Sequence, residues 1–187
     1  MKQGLDYTNP DSAVNFRDVG EFINLIAGEL VIPERHIFRG GTIKSLRSTA
    51  VIGSPRTIFN LQKGPDRATP GIRNCHFPIS NDHEKYYTAS PEVRTWLRQV
   101  VQTVEEGIEY PLYIHCLSGR DRTGVVVAAL LKICGVDNGR IIDEYHLSLG
   151  TKPTVLITTA LDGFSDVGGY FRRIDLTRVA ASLTALR

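Results

Sequence analysis

His115-Cys116-Leu117-Ser118-Gly119-Arg120-Asp121-Arg122-Thr123-Gly124 joins a short apolar run, Leu112 to His115, to a nearly unbroken one, Val125 to Leu131. The first has the length of a buried strand. The second continues a helix that opens near Arg122 and runs to Ile133, with Gly135 to stop it. A short loop from a strand end into a helix N-terminus turns successive backbone N–H groups toward one centre, and the positive end of the helix dipole adds to the field there. Such a cradle suits a phosphoryl dianion. It also favours the thiolate of a cysteine at its base, a setting that brings thiols from about 8.5 into the range of roughly 3.5–7.5. A drop of three units corresponds to about 4 kcal/mol. Cys116 is therefore the candidate nucleophile. Arg122 is the planar, bidentate clamp for two phosphoryl oxygens. Leu117, Ser118, Gly119, Arg120 and Thr123 make up the rest of the binding loop: Gly119 lets backbone approach the phosphate, and Thr123 can donate its hydroxyl to the sulfur. His115 is expected to support the loop by hydrogen bonding.

The spacing of Cys116 and Arg122 does not carry this reading alone. Three cysteines and sixteen arginines in 187 residues would place one such pair by chance in roughly one sequence in four. Cys134 and Arg140 repeat the spacing. Context separates the two pairs: Cys116 follows a strand pattern and Arg122 opens a helix, whereas Cys134 closes an apolar helix and reads as core filling.

Outward from this segment, short strand candidates (Ile37-Phe38, Thr57 to Leu61, Asn74 to Ile79) alternate with helical periods. Pro91 to Glu106 is the clearest helix: Val93, Trp96, Leu97, Val100, Val101 and Val104 form one stripe, with Ser90 as N-cap and Gly107 at the end. A further helix is expected over Gly139 to Leu149, with Ile141, Ile142, Tyr145 and Leu149 inward. Another is expected over Thr177 to Arg187 on Val179, Leu183 and Leu186. Val155 to Leu161 reads equally as strand or helix. The alternation predicts an α/β fold with a central, mostly parallel sheet flanked by helices, and the cradle at the carboxyl end of the strand closing at His115.

At 187 residues, 42% hydrophobic and 22% charged, the chain fits a single domain over 1–187 and excludes disordered and fibrous classes. A formal charge of +2 is too small to argue for nucleic acid. The longest apolar run is seven residues, so no stable membrane anchor is expected, and the N-terminus shows no signal core. Three widely spaced cysteines argue against a disulfide framework and for a reducing, cytoplasmic setting. His36, His76, His83 and His146 show no metal-binding spacing, and no metal or organic cofactor is expected.

His115 to Gly124 resembles the H-C-x-x-G-x-x-R-[ST]-G signature of cysteine-dependent protein tyrosine and dual-specificity phosphatases. Asn15-Phe16-Arg17-Asp18-Val19-Gly20, Phe38-Arg39-Gly40-Gly41, Asp143-Glu144-Tyr145-His146-Leu147-Ser148 and Gly168-Gly169-Tyr170-Phe171…Leu186-Arg187 extend the resemblance to a bacterial and fungal branch. That branch includes enzymes active on phosphotyrosine, sometimes phosphoserine or phosphothreonine, and phosphoinositides. Three departures stand out: Arg120 where members acting on phosphoinositides often carry lysine, Asn60-Leu61-Gln62 for Asp-Leu-Arg, and Arg39-Gly40-Gly41 for Arg-Ser-Gly.

Phosphomonoester cleavage needs a proton for the leaving oxygen, and two aspartates compete for that role. Asp82 lies in a loop 34 residues before Cys116, a separation similar to that of the general-acid loop of dual-specificity phosphatases. Asp121 sits in the cradle, where the resemblance implies that an aspartate can serve, although Arg120 and Arg122 should favour its ionised form. Arg17 and Asp18 read as a structural turn, Arg39 as either an anchor or a rim residue, and Tyr86 and Tyr87 as surface residues. The function expected is phosphomonoester hydrolysis through a phosphocysteine, on phosphorylated protein. The alternatives are an inositol phosphate or phosphoinositide substrate and a non-catalytic phosphate-docking module. A cysteine protease fits less well, since no cysteine–histidine pairing can be read.

Overall fold

In the computed structural model, residues 5–80, 84–150 and 152–186 are described. Five strands, β1 (Arg17–Asp18), β2 (Ile37–Gly40), β3 (Thr57–Asn60), β4 (Arg73–His76) and β5 (Leu112–His115), form one sheet in the order β1-β2-β5-β3-β4. The pairings are parallel except β1 with β2. Every residue of β2, β3 and β5 is buried, as expected of parallel strands covered on both faces. Their side chains alternate between two apolar clusters. Ile37, Phe59, Leu112 and Ile114 join the larger one, to which the helices contribute; Phe38, Ile58 and Tyr113 face a smaller one closed by residues 43–52 and Phe16. The α-helices therefore gather on one face, and a short 3-10 helix, Thr49–Ile52, helps to cover the other.

The helices are α1 (Val19–Ala27), α2 (Pro91–Glu106), α3 (Asp121–Ile133), α4 (Asn138–His146), α5 (Thr154–Gly163), α6 (Val167–Tyr170) and α7 (Leu176–Thr184). In α2, Ser90 accepts from Val93 N and the six stripe residues are all buried, as the periodicity requires. Helix α3 is buried from Thr123 to Leu131 and packs against β5, α2, α4, α5 and α7, which fixes the direction in which its N-terminus points. Among the described residues no helix is long and apolar enough to cross a membrane.

Several boundaries differ from the sequence expectation. Val155 to Leu161 is helical, within α5. Helix α4 stops at His146, so Leu149 lies beyond it and is exposed rather than inward. The last helix ends at Thr184, and Leu186 is exposed. Strand β4 ends at His76, although Phe77 and Ile79 are buried beyond it. Asp18 does not merely turn the chain: it caps α1, accepting from Gly20 N, and Val19, Phe22, Ile23 and Ile26 keep helical spacing there, a helix absent from the sequence expectation, as is the four-residue α6.

Candidate active site

Register sets the level of the site. Gly40 of β2 and Asn60 of β3 both lie opposite His115, so three strands end together where residues 116–120 turn toward α3. Three successive carbonyls of that loop are tied down. Leu117 O accepts from Thr42 N at 3.0 Å, Ser118 O from Asn15 Nδ2 at 2.8 Å and Gly119 O from Arg39 Nη2 at 3.0 Å. A trans peptide sets each C=O opposite the following N–H, so these anchors turn the N–H groups of Ser118, Gly119 and Arg120 to the other side of the loop. Gly119 has φ +66°, and a Cβ there would collide with the Gly40 backbone. A Cβ on Gly41 would come within 2.9 Å of Leu117 O, so this glycine helps the loop to seat on the end of β2, whereas a Cβ on Gly40, the departure noted above, would meet Tyr113 Oη instead.

Behind the loop lies a buried charge cluster. Arg39 Nη1 meets Glu144 Oε2 at 2.7 Å, and Arg17 Nη2 meets Glu144 Oε1 at 2.8 Å. Arg17 also donates to Ser148 Oγ and to the Glu144 carbonyl. Burial pulls the Arg39 guanidinium down to about 10; Glu144 opposes that fall and the charge of Arg17 adds to it. Arg39 is thus an anchor of the loop and not a rim residue. His115 is fully buried, with Nε2 2.7 Å from Asp66 Oδ2 and Nδ1 3.4 Å from Gln62 Nε2.

A cavity of about 410 Å³ opens over the loop, bordered by Cys116, Leu117, Ser118, Arg120, Asp121 and Arg122. Cys116 is 3% exposed and belongs to the core cluster, yet it borders this cavity together with Arg122. Lys85, Lys152 and Leu156 form part of the opposite wall. A larger cavity of about 760 Å³ lies between residues 42–49 and 62–69, and no cysteine lines it.

Asp121 accepts from Arg120 Nε (3.1 Å to each oxygen), Arg120 Nη2 (2.9 Å) and Tyr86 Oη (2.7 Å). Burial would raise its pKa, but the hydrogen bonds from Arg120 and Tyr86, with the charge of Arg120, outweigh burial and hold it below the usual carboxylate value. Thr123 is fully buried, and Oγ1 has no hydrogen-bond partner, so the expected bond from its hydroxyl to the Cys116 sulfur is not formed here. Asp82 lies outside the described residues. Among the described residues no cluster of metal-binding side chains occurs.

The control pair behaves differently. Burial pushes the Cys134 thiol up to about 12, and Arg140 pairs with Glu29 and Asp137 instead. Tyr86 corrects the sequence reading: it is 2% exposed, not a surface residue, while Tyr87 is exposed. No local signal marks Tyr86, because its partner Tyr145 lies 59 residues away on α4.

The model of the tyrosine phosphatase family matches residues 8–159. The chain belongs to this family. It is a phosphatase. It is 27% identical over 143 residues to inositol diphosphatase DSP4 of Arabidopsis thaliana, covering 68% of this chain and 71% of that protein. It is 34% identical to inositol diphosphatase DSP1 of Oryza sativa subsp. japonica over 85 residues, 46% of this chain and 37% of that protein. The fold is similar to the core catalytic domain of the S. cerevisiae PP-IP phosphatase SIW14 (TM-score 0.54, 16% identity, 74% of this chain and 88% of that one). It is also similar to DUSP15 (TM-score 0.54, 11% identity, 75% and 91%).

Proposed function

We propose that this phosphatase hydrolyses phosphomonoesters in two steps through a phosphocysteine at Cys116, acting on phosphorylated tyrosine in proteins. The observation that carries the reading is a single cavity bordered by Cys116, Arg122 and Asp121 over a loop whose carbonyls are anchored on its far side. The sulfur of Cys116 attacks phosphorus as the bond to the leaving oxygen breaks. Asp121 gives that oxygen its proton, and Arg122 and the loop N–H groups hold the charge that develops on the transferring group. Water then attacks phosphorus, returns a proton to Asp121, and releases phosphate and free Cys116. Leu117 and Leu156 supply apolar wall for an aryl ring.

A second reading keeps this chemistry and changes the substrate. Arg120, Arg122, Lys85 and Lys152 all border the cavity, against the carboxylates Glu84 and Asp121. That balance suits a ring carrying several phosphates, and two relatives bear the name inositol diphosphatase.

The test is a panel of phosphotyrosine peptides, phosphothreonine peptides and inositol phosphates, run with chelator present. Turnover of phosphotyrosine is expected, and its loss in Cys116→Ser. Asp121→Asn should slow hydrolysis of an alkyl phosphate by about 10²–10⁴-fold and that of an aryl phosphate with a good leaving group far less. The same asymmetry in Asp82→Asn alone would move the acid role to Asp82. Binding without turnover in the unaltered chain would make it a docking module.

A further inference from the structure

We propose that Tyr86 is a positioning residue of the reaction: its hydroxyl holds the Asp121 carboxyl in place, and Tyr145 behind it sets the direction of that hydrogen bond. This rests on Asp121 being the proton donor.

Tyr86 Oη lies 2.7 Å from Asp121 Oδ1 and 2.6 Å from Tyr145 Oη. An ionised carboxylate only accepts, and a phenol has one proton to give, so the Tyr86 proton points at Asp121. The contact between the two phenols must then be made by the proton of Tyr145. Tyr145 Oη in turn accepts from the backbone N–H of Lys152 at 3.4 Å. The chain runs one way, from Lys152 N–H through Tyr145 and Tyr86 to Asp121. Reversing it would aim the Tyr145 hydroxyl at an N–H donor. Both phenols stay protonated: burial, the largest influence on each, raises their pKa values.

Oδ1 accepts from Tyr86 Oη and Arg120 Nε, and Oδ2 from Arg120 Nε and Nη2, so among the hydrogen bonds described Tyr86 gives the carboxylate its one donor from outside Arg120. Packing fixes the geometry. The Tyr86 and Tyr145 rings meet edge to face at 6.2 Å, and Gly124 leaves room for Tyr145, since a Cβ there would come within 2.8 Å of its ring. Among the described residues, the charged and titratable groups around Asp121 and its cavity are Arg120 beside it, Arg122 in α3, Cys116 in the loop, Glu84 and Lys85 on the segment of Tyr86, Tyr145 of α4, Lys152 ahead of α5, and Tyr7. Arg120 and Tyr86 alone donate to the carboxylate among the hydrogen bonds described.

Tyr86→Phe keeps the ring and removes one donor. For an alkyl phosphate, kcat on the low-pH plateau should fall about tenfold, while an aryl phosphate with a good leaving group loses much less. The alkaline limb of the alkyl profile should move up by roughly one pH unit, because the donor that held the Asp121 pKa down is gone. Tyr145→Phe should shift the limb the same way by less, and it carries the test if Tyr86→Phe does not fold. Adding Tyr86→Phe to Asp121→Asn should cost nothing further. An unmoved limb, equal losses on both esters, or additive losses in the double variant overturns the role of Tyr86. Were Asp121→Asn itself to show no leaving-group asymmetry, the acid assignment would fail first, and that outcome is distinct from the others.

Discussion

Glu144 shows what one buried side chain has to do here. It is 1% exposed and faces two guanidiniums, so the cluster behind the loop carries more positive than negative charge. Neutralising it leaves Arg17 and Arg39 buried against each other. Glu144→Gln should therefore lower stability to urea by about 3–5 kcal/mol, the range for breaking a buried pair from one side. It should also lower kcat/KM, because Arg39 is the group that holds the Gly119 carbonyl. A loss below about 1 kcal/mol would mean that water reaches the cluster. At this scale the sequence was informative where chemistry is local. Cys116 could be told from Cys134 by its flanks alone, and the cavity beside one and the raised thiol of the other agree with that distinction. It was silent on whether Arg39 anchors or lines the site, since that depends on a glutamate 105 residues away.

At the scale of elements, signals that agree with one another were legible and single signals were not. Helix α2 had a cap, a first-turn proline, an unbroken stripe and a terminal glycine, and all four hold. Helix α4 had a stripe and Gly150 as its stop, but the helix ends before that glycine, so its end was placed three residues late, at Leu149 instead of His146. Helix α1 is nine residues long with a glycine in its first turn, and it forms because Asp18 caps it and Val19 and Ile23 reach the core. The loop between β5 and α3 follows the same logic. Gly119 and Gly135 both have positive φ, +66° and +82°, but only Gly119 is pressed against other backbone; nothing lies within 4 Å of a Cβ at Gly135. Gly135→Ala should lose about 1–2 kcal/mol, the cost of a left-handed side chain, and keep its activity. Gly119→Ala should lose more stability than that, and most of its kcat/KM, since the loop must lift from Gly40. Equal effects of the two substitutions on activity would deny that the seating of the loop on β2 matters.

Over the whole molecule, the loop is held by residues from distant parts of the chain: Asn15, Arg39 and Thr42 on its outer side, Asp66 through His115, and Glu144 from α4. An anion seated in the cradle should therefore stabilise the fold as a unit. By linkage, inorganic phosphate at 100 times its Kd adds about 2.7 kcal/mol. For a chain of this size that raises the thermal midpoint by roughly 5–10 °C. Cys116→Ser should keep the shift, because the sulfur is not needed to bind the anion. Arg122→Met should lose most of it. The larger cavity between residues 42–49 and 62–69 offers a rival location, since Lys44, Arg47 and Arg67 line it. The two locations separate cleanly: Lys44→Ala with Arg67→Ala should leave the shift intact. A shift abolished by that pair and untouched by Arg122→Met would put the anion in the other cavity and remove the ground for reading residues 116–122 as a phosphate cradle.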